Sequence, residues 1–182
     1  LFRDLHPGVR LGTASDRYAG WLGQIYSRER FGAKISKRAK TVGGKTVTEE
    51  LLPVESVEEY FTHFSILELD FTFYSLLLDG DLNPTSSFHT LQAYKKHLRQ
   101  GDRLVLKVPQ RVFARKLRQA GAFTVNPDYL DAEVFTRRFY EPALHLLGEQ
   151  VSAFVFEQEY LTKKERGSQE DFSVALREFF RR

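Results

Sequence analysis

Four short apolar runs, each followed by a stretch whose apolar residues recur at helical spacing, set the fold of this chain more tightly than any other feature of it. The runs are Val9 to Thr13, Ile66 to Phe73, Arg103 to Pro109 and Val151 to Glu157, and their length and bounding turn residues mark them as strands. Ser56, with Glu59 three residues on, starts a helix whose apolar face is Val57, Tyr60, Phe61 and Phe64. A second helix runs from Ser86 to Leu98 through Phe88, Leu91 and Tyr94. Asn126-Pro127 opens a third, with a face of Val134, Phe135, Phe139, Leu144 and Leu147 that stops at Gly148, and Ser168 with Asp171 starts a last one. Alternation of this kind requires parallel strands covered by helices, because each crossover returns to the same edge.

Two architectures satisfy that order, a doubly wound sheet and part of a barrel. Gly12-Thr13-Ala14-Ser15-Asp16 lacks the spaced glycines of a dinucleotide fingerprint. Gly44-Lys45-Thr46 keeps only the last letters of a phosphate loop and follows no apolar run. The expected fold is therefore α/β of the (β/α)₈ TIM-barrel type, an incomplete barrel of about four βα units forming a single domain over residues 1–182. Residues 32–50, with Lys34, Lys37, Arg38, Lys40 and Lys45 around Gly43-Gly44, read as a basic insertion loop without regular structure.

Composition narrows the class of function. The chain has no Met, even at position 1, where about three or four would be usual at this length, so it reads as a piece of a longer gene product. The net charge of +3 is well short of the dense basic stripe of a dedicated nucleic-acid binder. Having no Cys, it has no disulfide framework, no Cys-ligated zinc and no thiol nucleophile. No apolar run approaches the roughly 18 residues a bilayer span needs, so no membrane partner is expected and a cytoplasmic location is the default.

The second run carries the chemistry. In Glu68-Leu69-Asp70-Phe71-Thr72-Phe73-Tyr74, alternation puts Glu68, Asp70, Thr72 and Tyr74 on one face and the apolar residues on the other. Carboxylates on an interior face need a cationic partner, and Lys107, alone in an otherwise apolar strand, supplies it. Glu157 falls near the C-terminal end of the fourth strand, which in barrels is the active-site face. Glu68, Asp70, Lys107 and Glu157 are thus the candidate catalytic set, able to bind a metal or to hold a sugar or phosphate and move a proton. The same four residues also suit a structural salt-bridge network. Thr13, Trp21, Thr72, Tyr74 and Arg111 are the candidate substrate-binding residues. No His pair has ligand spacing, no metal site is assigned, and no cofactor is implied. The segment Lys34 to Lys45 and the group Arg111, Arg115, Lys116 and Arg118 follow strands. They would attract a phosphate-bearing small molecule or nucleic acid if they are more than solvated surface charge.

Val9-Arg10-Leu11-Gly12-Thr13, Glu68 to Tyr74, Leu106-Lys107-Val108-Pro109 and Glu141-Pro142-Ala143-Leu144-His145-Leu146-Leu147-Gly148 occur in an order that resembles the YecE-like family, a domain of unknown function. The resemblance implies a (β/α)₈ barrel of which this chain is the N-terminal half. Asp70 stands where that family's pattern has Asn, and Ala14-Ser15-Asp16-Arg17 where it has Ser-Gly-Trp. Glu157-Gln158-Glu159 replaces a Gln-x-Pro-Pro run, and a His expected soon after the Lys strand is missing around Ala114-Arg115.

Two functions follow as expectations. One is a barrel enzyme acting on a phosphate- or sugar-bearing substrate, with Glu68 or Glu157 as base, Lys107 as electrostatic stabiliser, and Asp70 and Tyr74 positioning. The other is a non-catalytic barrel that binds nucleic acid or another ligand through its basic rim.

Overall fold

A computed structural model describes residues 2–3, 5–42, 45–119, 121–157 and 169–181. In chain order its elements are α1 (Arg28–Phe31), β1 (Ser36–Val42), β2 (Lys45–Leu51), α2 (Val57–His63), β3 (Ile66–Leu69), α3 (Ser86–Lys95), β4 (Arg103–Lys107), α4 (Gln110–Phe113), β5 (Lys116–Gln119), β6 (Ala122–Val125), α5 (Ala132–Phe135), α6 (Glu141–Leu147), β7 (Val151–Val155) and α7 (Gln169–Arg181). Three small sheets hold the strands: the antiparallel hairpins β1-β2 and β5-β6, and a parallel sheet in the order β3-β4-β7.

That arrangement overturns the TIM-barrel expectation. Among the described residues the parallel sheet has three strands and nothing closes it. The segment expected as a first strand forms none among the described residues: Val9 makes an isolated bridge with His6 and, just past the segment, Ala14 makes one with Glu68. Its main chain does run beside β3, with Glu68 N donating to Thr13 O (3.0 Å) and Ser15 N to Glu68 O (2.9 Å). Gly12 explains the close approach, since a Cβ there would lie 1.9 Å from the Ile66 carbonyl oxygen. Val9 and Leu11 stay exposed rather than forming a buried strand.

Residues 36–51 form a hairpin where an irregular loop was expected. Thr41, Val42, Thr46, Val47 and Thr48 are β-branched and suit a pleated surface. Opposite charges also meet across the ladder, Lys37 with Glu50 (3.1 Å) and Arg38 with Glu49 (2.9 Å). Gly43 and Gly44, read as a mark of irregularity, lie outside the described residues between the paired Val42 and Lys45. A second hairpin, β5-β6, occupies what had been read as a basic rim. Gly121 beside its turn has φ +88°, which a residue with a side chain rarely adopts.

The chain divides into two compact units, Leu1–Leu69 with Leu91–Leu104, and Asp70–Thr90 with Val105–Arg182. In the first, Phe31, Leu52, Val57, Tyr60, Phe61, Leu67 and Leu91 are fully buried. Ser56 precedes α2 as expected but makes no capping bond with its side chain. Glu59 is taken up elsewhere, accepting from the Ser27 amide (2.7 Å) and the Ser27 hydroxyl (2.8 Å). The buried Asp102 carboxylate is held by Arg3 at 2.9 Å.

In the second unit, Leu106, Val108, Val112, Phe139 and Ala143 are fully buried, and Phe135 packs against Phe139, Phe154, Phe156 and Phe179 at 5.3 to 6.2 Å between ring centres. Asp131, rather than Asn126, caps the helix that follows, accepting from the amides of Glu133 (2.9 Å) and Val134 (3.0 Å). Asn126 is buried instead, its amide donating to the carbonyls of Arg111 (2.6 Å) and Ala114 (2.7 Å). Between α5 and α6 lies a π-helical segment, Thr136–Tyr140. Pro142 has no N–H to return to the Arg138 carbonyl, and that oxygen accepts from Leu77 (3.0 Å) and Leu78 (3.1 Å). The last helix, α7, is present, while its expected cap Ser168 lies outside the described residues.

Gly12→Ala is expected to lower the stability of the first unit by roughly 3 kcal/mol, the upper range for overpacking, because the clash is with main chain that no side-chain rotation relieves. Urea unfolding followed by the fluorescence of Trp21, the only Trp of the chain, checks this; an unchanged midpoint would contradict the close approach.

Candidate functional site

Three charged residues of the second unit stand where the parallel strands end. Lys107 is the last residue of β4, Asp70 follows β3 directly and Glu157 follows β7 by two residues. The Lys107 ammonium lies 2.8 Å from Asp70 Oδ1 and 3.1 Å from Glu157 Oε2. Among the described residues, one cation therefore faces two carboxylates, an excess of negative charge. The hydrogen bond to Asp70, with that to Glu157 adding to it, outweighs partial burial and raises the Lys107 pKa. The amine is thus favoured as an ammonium, able to donate and to stabilise negative charge.

The main chain fixes this geometry. Val108 N donates to Val155 O at 2.8 Å, joining β4 to β7 beside Lys107. Thr72, fully buried, donates its hydroxyl to the Lys107 carbonyl at 2.8 Å. That bond sits in a 3-10 turn, Asp70–Phe73, which ends β3 at Leu69 and breaks the alternation read over Glu68 to Tyr74. The common polar face is corrected accordingly: Thr72 is buried, whereas Tyr74 is 70 % exposed. The exposures of Lys107, Asp70 and Glu157, 22, 35 and 52 %, leave the cluster open to solvent.

The remaining predicted residues divide. Glu68 lies half-buried in β3, in the first unit. Thr13, also in that unit, donates its amide to the Tyr60 hydroxyl (2.8 Å) and its own hydroxyl to Ser15 O (2.7 Å). Trp21 lies in a 3-10 turn, packed edge-on against Tyr18 at 5.0 Å. Arg111 is in the second unit and is ion-paired with Asp128. The basic stretch is likewise matched by acid, since Lys34 meets Glu55 (2.6 Å) beside the pairs across the β1-β2 hairpin.

Asp16 is the residue that sequence reasoning passed over. It is 2 % exposed; its Oδ1 accepts from the Tyr94 hydroxyl at 2.8 Å, and its carbonyl accepts from the Tyr26 hydroxyl. Oδ2 has no partner among the described residues. Burial pushes the carboxyl up to about 6, against the opposing pull of Tyr94 and Arg17, and the same burial raises Tyr94 and Tyr26. The one signal in the sequence was an acidic residue directly after the small residues Gly12 to Ser15.

Compared with known protein families, curated proteins and solved structures, the chain matches no family model, no curated protein and no solved structure. No helix among the described residues is long and apolar enough to cross a membrane.

The raised Asp16 pKa has a definite sign. Its contribution is fully present below about pH 4, where the unfolded carboxyl is also protonated, and is lost as pH rises through about 6. A shift of this size corresponds to about 3 kcal/mol. Asp16→Asn is therefore expected to flatten the pH dependence of urea unfolding between about pH 4 and 7, measured through Trp21; an unaltered slope would contradict the burial of a charged Asp16.

Proposed function

We propose that the cluster at Asp70, Lys107 and Glu157 binds a neutral, hydroxyl-rich ligand of the sugar type and serves to activate one of its hydroxyls. The single observation that carries this reading is the ammonium held between two carboxylates. A phosphate would meet the net negative charge of the cluster, whereas hydroxyls donate to carboxylates and accept from an ammonium. Glu157, the most exposed of the three, is the acceptor a ligand hydroxyl meets first and is assigned as base. Lys107 steadies negative charge on the oxygen that loses its proton. Asp70 positions the ammonium.

The phosphate branch of the sequence expectation is weakened by this charge balance, and nucleic-acid binding by the pairing of Lys34, Lys37, Arg38 and Arg111 with carboxylates. Thr72 and Lys107 both belong to the motifs that resemble the YecE-like family. The bond between them supports the proposal that the resemblance marks this neighbourhood.

Calorimetric titration with neutral mono- and oligosaccharides, and separately with inorganic phosphate, tests the reading. Saturable heat with a sugar and none with phosphate is expected. Asp70→Asn and Glu157→Gln should each weaken sugar binding about tenfold, the worth of one charge-assisted hydrogen bond. Phosphate binding, or sugar binding indifferent to both substitutions, would overturn it.

A further inference from the structure

At Asp16 a buried carboxyl, a strained main chain and a lightly fastened segment coincide. Ser15, directly before it, has φ +67°, the left-handed region that a residue with a side chain adopts only at a cost. Asp16 Oδ2 has no partner among the described residues, so no hydrogen bond answers a proton or a charge on that oxygen. A neutral carboxyl bears this better than a carboxylate, because an unanswered charge in a buried site costs more than an unanswered dipole.

The titratable groups around Asp16 answer its charge only in part. Tyr94, on α3, donates to Oδ1 at 2.8 Å, Tyr26 donates to the Asp16 carbonyl, and Tyr60, on α2, lies within the field of the carboxylate. Burial, with the Asp16 charge adding to it, raises all three phenols, Tyr60 to about 12, so they stay neutral wherever Asp16 titrates. Arg17 is the neighbouring cation, but its Nε is committed to the Leu52 carbonyl. Glu59, which bears on Tyr26, is held by Ser27.

The segment that begins here is anchored at both ends and lightly held between. Before it, Thr13 is bonded to Glu68 and Tyr60; after it, Leu22 and Tyr26 are buried. In between, Tyr18 bridges Leu51, Leu52 N donates to Arg17 O at 3.1 Å, and the chain then runs out through the 3-10 turn Ala19–Trp21 with Tyr18 and Gly20 exposed. Tyr18 to Trp21 also line an open groove together with residues of β2.

We propose that Asp16 is a proton-operated latch on the limb Ser15–Trp21. With the carboxyl neutral the limb is seated. Loss of the proton favours a state in which Ser15 leaves its left-handed backbone, the Asp16 side chain reaches water and the Tyr18–Leu51 bridge parts, while both anchors hold. The groove lined by Tyr18 to Trp21 then changes shape with pH. Asp16 is raised to about 6 when seated and returns to about 4 once exposed. The limb is therefore fully held below about pH 4, and the hold is lost as pH rises to about 6, a change of about 100-fold in the opening equilibrium.

Amide hydrogen exchange of the whole chain, corrected for the intrinsic pH dependence of exchange, tests this. The reporters are the Ser15 amide, bonded to Glu68 O at 2.9 Å, and the Leu52 amide; the Phe64 amide, bonded to Tyr60 O at 3.0 Å, follows unfolding of the unit. Ser15 and Leu52 are expected to exchange at least about tenfold faster than Phe64 and to lose about 100-fold in protection between about pH 4 and 6, then level off. Asp16→Asn should abolish that loss while the histidines still titrate. Should that variant fail to fold, as circular dichroism would show, Tyr94→Phe decides: without the hydroxyl that favours the charged carboxyl, the levelling-off should move to higher pH. Equal protection at the three amides, a pH dependence that survives Asp16→Asn, or an unmoved levelling-off in Tyr94→Phe would each overturn the inference.

Discussion

Lys107 has to satisfy two demands at once. Its backbone is the end of the central strand of a parallel sheet, and its ammonium lies between Asp70 and Glu157. A lysine at the end of an apolar strand is tolerated only if its charge is compensated, and here the carboxylates that follow the neighbouring strands compensate it. The partial exposure of all three groups limits the stabilisation to the order of 1 kcal/mol. Its consequence is geometric more than energetic: the strand ends keep a fixed ammonium with acceptors on either side. The turn at Asp70–Phe73 depends on the same strand, because Thr72 leaves the alternation to bond the Lys107 carbonyl.

A freed main-chain group is reused elsewhere in the second unit. Pro142 removes a donor from the helix between Ala132 and Leu147, and the Arg138 carbonyl it leaves accepts Leu77 and Leu78. A local interruption thereby becomes a tertiary link, and the aromatic residues on the same helix, Phe135 and Phe139, pack beside it. In the first unit the corresponding cost is carried by Asp16, whose buried carboxyl is tied to Tyr94 and lifted toward neutral pH. Both units thus place polar groups inside and bind them to particular partners, while Asp16 Oδ2 keeps none among the described residues.

Much of the helix and strand content was legible. The runs at Ile66, Arg103 and Val151 became β3, β4 and β7 because short apolar runs between turn residues have few other ways to bury their side chains. Lys107, Asp70 and Glu157 were legible as a cluster because an isolated lysine in an apolar strand demands acidic company. The hairpins were not. Lys-rich and Gly-containing stretches resemble loops until their cross-strand partners are known, as Lys37 with Glu50 and Arg38 with Glu49 show. The expected barrel was wrong, since β-α alternation specifies parallel pairing but not how many strands pair or whether the sheet closes.

The sequence by itself determined the periodicities, the end imposed by Gly148, the helical donor missing at Pro142, and the need of Lys107 for acidic partners, because these follow from local stereochemistry and from the cost of burying charge. Only the tertiary structure decided that Asp70 and Glu157 answer that need. It also ended β3 at Leu69, since a hydroxyl thirty-five residues from its acceptor in sequence, Thr72 to Lys107, is an interaction no local pattern encodes. Asp16 makes the same point across seventy-eight residues to Tyr94: its chemistry comes from burial, and burial is a property of the packed chain.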